Sequence, residues 1–561
     1  MKKRRPRLPI TTFFGLLILC AACTKETHRA TLVVTNAKIW TGNSAMPWAE
    51  AMAISEDTIE AIGTMEAIKS FIGDSTLVED LKGKFVSPGF IDSHVHLMSG
   101  GNGLLGVQLR DAGTPEAFSE KIAAYAKTIP PGTWILEGNW DHTIWGGALP
   151  EKEWVDADTP EHPVAVLRLD GHMLLANSAA LQFAGIDKTT PDVEGGEIVR
   201  NPDGTPTGIL KDNAMNLVFD KIPPMNDAQK EKNFKAAMAY LLSNGVTSVH
   251  DVDGLSNTLG SYGTAMKLRE SGQLALRIYA AAPLSEWKTL ATMQRQDDKW
   301  LKAGVLKGFV DGSLGSHTAA FDQPYTDKPS DKGFFINGEA DLYEWISKAD
   351  KADLKLMVHA IGDRAIHTLL DIYERVETEN GKKDRRFRIE HAQHLAPADI
   401  DRFTRLGVIA SMQPYHAIDD GRWAEALIGP ERIKTTYAFK SLFDSGATVA
   451  FGSDWFVAPA TPLEGIYAAV TRSTLDGKNP NGWVPDQKIT VEQALTAYTV
   501  NAAYASFDET TKGSLEVGKL ADFVVISEDL TQADPMRIKD LEIMATYVGG
   551  QKVYENAIMK Q

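Results

Sequence analysis

His94 and His96 stand one residue apart in "GFIDSHVH", at the end of a short apolar run. Side chains two apart on a strand share a face, so both imidazoles point the same way, as a pair of metal ligands or as two polar residues closing a strand. Further along, four more ionisable residues end or interrupt apolar runs: Lys307 in "GVLKGFVDGS", His359 in "LKLMVHAIGD", His391 in "RFRIEHAQ" and Asp454 in "ATVAFGSDW". Histidines combined with a carboxylate make a donor set of borderline softness; Zn²⁺ suits it best, and iron or manganese would tolerate it. Each signal alone has an ordinary reading: most isolated His-x-His pairs bind nothing, Gly-Ser-Asp is common where strands end, and a lone interior lysine forms a salt bridge. Their conjunction is what carries weight, because all six fall on one rim if the runs are parallel strands.

Eight such runs are present: "SPGFIDSHVH", "GVTSVHD", "LALRIYAA", "GVLKGFVDGS", "LKLMVHAIGD", "RFRIEHAQ", "GVIASMQPY" and "ATVAFGSDW". From about residue 230 they alternate with helical stretches, which is the pattern of βα units around a parallel sheet. Eight units predict a closed α/β barrel of the (β/α)8 TIM type, whose chemistry sits at the C-terminal ends of the strands. A doubly wound open sheet is the alternative, but "HLMSGGNG" after the first run lacks the spacing of a phosphate-binding turn. Residues 105–230 are too many for a loop and read as an insertion over the barrel mouth. Both chain ends, residues 23–88 and 505–561, carry short alternating runs with Gly-containing turns, which predicts one β-sandwich built from the two termini around a barrel at 89–504. As separate domains they would hold too few residues for a core.

The chain has 561 residues, of which 43% are hydrophobic and 24% charged, enough to bury large cores. Its net charge of −16 argues against binding nucleic acid, which needs clustered cations to replace counterions, and leaves a small molecule as partner. "MKKRRPRLPI" followed by "TTFFGLLILCAA" reads as an export signal over residues 1–22, with an N-terminal membrane anchor as the alternative. "LCAAC" resembles a bacterial lipoprotein box, which implies a lipid anchor at Cys23 and attachment to the envelope; ordinary cleavage with release into the periplasm competes, since Cys20 stands where such boxes carry Leu. Cys20 and Cys23 are the only cysteines, so the mature chain has no internal disulfide.

The runs "SPGFIDSHVH", "RLDGHMLLANSAALQFAGI", "DGSLGSHTAA", "VHAIGDRAI", "RIEHAQ", "MQPYH", "FGSDW" and "GSLEVGKLADFVV" together resemble amidohydrolase family 3, the YtcJ-like group that includes N-substituted formamide deformylase. The resemblance covers the chain from about residue 32 to its end. It implies that His94, His96 and Asp454 bind a first divalent ion, that His359 and His391 bind a second, and that Lys307 takes the place of a carboxylated lysine bridging the two. A site with a single ion stays open. Two positions depart from the family pattern: His317 stands where Arg is frequent and Phe456 where Pro is frequent.

The implied chemistry is hydrolysis of a small amide-type substrate at a carbon–nitrogen bond other than a peptide bond, with Asp454 taking a proton from water and returning it to the departing amine. Cyclic amidine deamination is a second reading. Deaminases of the superfamily commonly place Glu three residues after the strand-five histidine, where this chain has Gly362, with Asp363 one later. An exported binding protein that keeps the barrel without turnover is the third. Trp140, His172, His250, Asp311 and His317 are candidate substrate contacts, with Asp251 beside His250; the ordinary readings are turn formers and packing of the insertion.

Overall fold

The computed structural model describes residues 30–256, 260–295 and 297–557. The export signal and Cys23 of the sequence reading lie outside them.

All eight strand-like runs form one parallel sheet: β1 (Phe90–Val95), β2 (Val246–Asp251), β3 (Arg277–Pro283), β4 (Leu301–Phe309), β5 (Lys355–Ala360), β6 (Arg388–His391), β7 (Ile409–Met412) and β8 (Val449–Phe451). They pair in sequence order, and a parallel bridge between Val95 and Trp455 joins the last strand's exit to the first. The result is the α/β barrel that the run pattern predicts. Strands β1, β6, β7 and β8 are buried along their whole length; β7 and β8 are apolar nearly throughout, whereas β1 and β6 carry His94, Arg388 and Glu390, which bond one another inside the barrel.

Both chain ends meet in a sandwich. A four-stranded sheet uses Leu32–Thr35, Ala51–Ser55, Thr58–Gly63 and Leu77–Asp80; a six-stranded sheet mixes Lys38–Trp40, Trp48–Ala49 and Phe85–Pro88 with Phe523–Ile526, Ile543–Val548 and Gln551–Glu555. Val34, Met52, Ile54, Val86, Phe523 and Tyr547 pack between the sheets, the last two rings stacked at 4.1 Å. The sandwich is tied to the barrel by a buried ion pair: Arg277 of β3 donates from Nε and Nη2 to the two carboxylate oxygens of Asp522, at 2.6 and 2.8 Å.

Between helix Leu97–Leu105 and helix Asp227–Ser243 the chain builds a mixed five-stranded sheet from Ile135–Trp140, Val164–Arg168, Met173–Ala176, Gly196–Arg200 and Pro206–Asp212. It has its own core around Leu109, Phe118, Trp140 and Leu175. The glycines of "HLMSGGNG" serve close packing: a Cβ on Gly101 would meet the Asn233 carbonyl oxygen at 2.2 Å, and one on Gly100 the Trp455 ring at 2.5 Å. Helix Asp227–Ser243 begins with a capping box in which Asn226 and Gln229 satisfy each other's backbone N–H groups, and it leads directly into β2.

Candidate metal centre and substrate cavity

Five barrel strands, β1, β4, β5, β6 and β8, bring His94, His96, Lys307, His359, His391 and Asp454 to one end of the barrel. The exits of β1 and β8 are zipped together: Asp454 N donates to His94 O at 2.8 Å and His96 N to Trp455 O at 2.6 Å. Gly452 permits this approach, because a Cβ there would lie 2.6 Å from the His94 nitrogen. His391 and Asp454 adopt φ of 71° and 60°, a left-handed backbone that costs a non-glycine residue about 1–3 kcal/mol and persists only where packing imposes it.

His94 Nε2 and His96 Nε2 lie 3.3 and 3.2 Å from Asp454 Oδ1. On the carboxylate's other side, Oδ2 is 3.9 Å from His416 Nε2 and 4.0 Å from His391 Nδ1. Two groups of three thus have donor atoms close enough to share an ion, His94–His96–Asp454 and His391–His416–Asp454.

The outer faces of the imidazoles are held from behind. His94 Nδ1 is 2.5 Å from Glu390 Oε2, and Glu390 also accepts from Arg388 Nε at 2.8 Å and Nη2 at 3.1 Å. A carboxylate only accepts, so Nδ1 of His94 carries the proton and Nε2 keeps a lone pair for a ligand. The same logic applies to His96 Nδ1, which faces Asp253 Oδ2 at 2.5 Å. Gln413 Oε1 takes His391 Nδ1 at 2.8 Å, and the Gly312 carbonyl takes His359 Nε2 at 3.0 Å.

Burial, reinforced by neighbouring positive groups, holds His94, His359 and His391 well below the ordinary histidine pKa, so they are neutral as ligation requires. His96 differs. Burial opposes its charge, but Asp253 and Asp454 overcome it and push its pKa up to about 10, so these carboxylates draw positive charge to the rim. Burial also lowers the Lys307 amine, against the pull of Glu390, Asp454 and Asp253, in the direction that carbamate formation needs. Its Nζ lies 3.1 Å from His94 Nε2.

A cavity of about 310 Å³ opens between the rim and the inserted sheet. Leu167, Met215 and Phe219 from the insertion face Phe309, Ile336 and Phe456 from the barrel side. Of the five candidate substrate contacts, His172 lines this cavity, its Nδ1 held by Asp212 Oδ1 at 2.6 Å. The other four are placed elsewhere. Trp140 is wholly buried in the insertion's core and donates to Val166 O at 2.8 Å. His250 lies in the barrel interior with Nδ1 2.8 Å from Arg388 Nη1, and so props the Arg388–Glu390–His94 chain from below. Asp311 accepts the backbone N–H groups of Ala320, Ile361 and Gly362, shaping the loops behind His359. His317 pairs with Asp327 at 2.9 Å and packs on Tyr325.

His416, Glu390, Asp253 and Asp212 stand at the site without belonging to the set that the sequence pattern singles out. His416 had a signal, since "MQPYH" ends a strand run just as the other ligand runs do. Glu390 neighbours His391 on β6, and nothing in "RIEH" shows that it reaches His94 on β1.

A closed parallel barrel with His-x-His after its first strand, an aspartate after its eighth and histidines between defines a metal-dependent barrel hydrolase. The chain belongs to the amidohydrolase family, whose model matches residues 77–554. It is 41% identical over 547 residues to Protein LONG AFTER FAR-RED 3 of Arabidopsis thaliana, covering 94% of this chain and 92% of that one. To N-substituted formamide deformylase of Arthrobacter pascens it is 29% identical over 556 residues, covering 94% and 99%. The crystal structure of an uncharacterized metal-dependent hydrolase from Pyrococcus horikoshii OT3 superposes with a TM-score of 0.74 at 27% identity, over 90% of this chain and 99% of that one.

Glu390→Gln keeps the shape behind His94 but removes the charge that orders its tautomer. Ion affinity is expected to fall about 10–100-fold, measured by competition with a chromophoric chelator. Unchanged affinity would mean that Glu390 does not tune His94.

Proposed function

We propose that this chain is an exported metal-dependent hydrolase of carbon–nitrogen bonds in non-peptide amides, acting on N-formyl or N-acyl amines. The observation that carries the reading is the His94–His96–Asp454 group at the floor of an apolar-walled cavity. Its separations of 3.3 and 3.2 Å match the roughly 3.3 Å edge of a tetrahedron with zinc bonds of about 2.0–2.1 Å, so the residues fit Zn²⁺. A divalent ion held there would supply Lewis-acid polarisation of a carbonyl and would lower the pKa of water, to about 7 in the best-studied zinc enzyme.

The chain's own residues do the rest. Asp454 takes the proton of the attacking water and returns it to the departing nitrogen, because an amine anion is a very poor leaving group. His172, whose ring Asp212 holds by Nδ1, meets substrate through Nε2. Leu167, Met215, Phe219 and Phe456 surround the amine's substituent and exclude water from it. Lys307 is the residue to be carboxylated, its amine favoured in the neutral form by burial. The reading of Cys23 as a lipidated N-terminus rests on the "LCAAC" run alone; the mass of the mature N-terminal peptide from membrane fractions tests it.

The cavity walls set a substrate preference. Leu167, Met215, Phe219, Phe309 and Phe456 are apolar, Asp170, Asp212 and Asp253 are already paired with Arg168, His172 and His96, and among the described lining residues no arginine appears. An N-formyl arylalkylamine is therefore expected to show a KM at least about tenfold lower than the matching N-formyl amino acid, whose carboxylate would lose water against apolar walls without a free cation to pair with. Equal KM values would sink this preference. The proposal as a whole is tested by metal analysis of the purified protein, then a screen of N-formyl amines, N-acyl amines and cyclic amidines. Hydrolysis of the amides with bound metal supports it; ammonia release from amidines alone, or tight ligand retention without turnover, overturns it.

A further inference from the structure

We propose that the edge of the sandwich around Ile72, Leu77 and Val78 is a membrane-docking face that seats the protein on a phospholipid surface. These three aliphatic residues are 38%, 64% and 46% exposed. Leu77 and Val78 lie on the strand Leu77–Asp80, which is an edge of the four-stranded sheet, and Ile72 caps the helical turn Lys69–Phe71. The described residues begin at Ala30, in the middle of this edge: Ala30 N donates to Phe71 O at 3.0 Å, Thr76 Oγ1 to Ala30 O at 2.8 Å, and Leu77 N to Thr31 O at 3.0 Å. Cys23 precedes Ala30 by seven residues, a length that spans at most about 25 Å when fully extended. A lipid on Cys23 keeps this edge within that distance of the bilayer.

The chemistry of the edge favours lipid over other occupants. Lys69 and Lys552, on the flanking segments, are already paired, the first with Glu66 and the second with Glu79 and Glu555. With these cations neutralised and a chain charge of −16, headgroup phosphates get no basic patch to hold, so seating is by aliphatic contact and insensitive to salt. A second copy fits poorly: three aliphatic side chains are few beside the roughly 20–30 residues a side of a stable interface. The lipid supplies the affinity, and the face supplies the orientation. The six-stranded sheet is the layer that meets the barrel, where Asp522 pairs with Arg277 at the start of β3 and Thr546 Oγ1 donates to Leu242 O at 2.7 Å shortly before β2. The cavity opens at the other ends of these strands, so docking by this edge leaves its mouth toward water and soluble amides.

This inference rests on the reading of Cys23 as a lipidated N-terminus and is tested without turnover. Cys20 and Cys23 are the only cysteines, so after processing and lipidation a substituted cysteine is the one free thiol. The full-length precursor is expressed with Leu77→Cys, Ile72→Cys or Phe183→Cys, purified from membranes, labelled with a nitroxide and reconstituted into vesicles of phosphatidylethanolamine and phosphatidylglycerol. Phe183, 61% exposed on the inserted domain, is the reference position. Labels on Leu77→Cys and Ile72→Cys are expected to relax faster with oxygen, which concentrates in lipid, than with a water-soluble nickel chelate, and the label on Phe183→Cys is expected to do the opposite. The mass of the N-terminal peptide is read on the same protein. With lipid on Cys23, nickel-dominated relaxation at both sandwich positions overturns the docking and leaves the anchor standing. Spin–spin broadening that grows with protein per vesicle gives the edge to a second copy and overturns the docking too. An unmodified Cys23 overturns anchor and docking together, with the hydrolase reading untouched.

Discussion

Asp454→Asn is expected to lower kcat by about 10²–10⁴ while the protein keeps a substantial part of its metal. Asparagine retains an oxygen in the place of Oδ1, 3.3 and 3.2 Å from the two β1 histidines, so ion binding weakens without vanishing. What asparagine cannot do is hold a proton, and both proton movements of the proposed amide hydrolysis pass through this position. The backbone should tolerate the change: φ at this residue is 60°, and asparagine accepts the left-handed region at least as readily as aspartate. Steady-state kinetics paired with zinc content measured on the same preparation separates the two effects. Wild-type turnover in this variant would remove Asp454 from the chemistry, and loss of activity in strict proportion to lost zinc would make it a ligand only.

Arg277→Met is expected to cost about 3–5 kcal/mol of stability, because it strands Asp522 in a buried place. Arg277 and Asp522 are 1% and 5% exposed, and their two-pronged pairing joins β3 of the barrel to the strand Phe523–Ile526 of the sandwich. The guanidinium also donates to Lys299 O at 2.7 Å and stacks on Trp300. Methionine fills much of the volume and supplies none of the charge. Adding Asp522→Leu should recover much of the loss, since a well-packed apolar pair often replaces a buried ion pair without penalty. Denaturant midpoints of wild type, both single variants and the double variant measure this. A single variant as stable as wild type would show that the pairing contributes nothing to holding the two domains together.

The barrel was largely legible in the residue order. Six of the eight strands lie inside the runs that apolar patterning picks out, while β3 runs on to Pro283 and β4 starts earlier, at Leu301; the breaks between runs fall at glycine and polar turns. The position of the six candidate residues at one end of the barrel was equally legible, since polar residues at strand ends stand out against such runs. His416 of "MQPYH" gives a weaker signal, because it falls on the helix after its strand, two residues past Pro414. Among the candidate substrate contacts, Trp140, His250, Asp311 and His317 show where pattern reading fails. Each is a polar or aromatic residue at a turn or strand end, and each is absorbed by partners that local sequence does not reveal.

By itself, then, the order of residues determined the strand count, the parallel barrel and the rim that gathers the histidines, because strand period and burial are local properties of the chain. Only the tertiary structure decided which atoms meet. Glu390 reaches His94 across 296 positions, Asp212 fastens His172 from a strand of the inserted sheet, and the two oxygens of Asp454 divide between histidines from opposite ends of the chain. Hydrogen bonds and ligation depend on fractions of an ångström between distant segments, and those distances exist only once the barrel has closed.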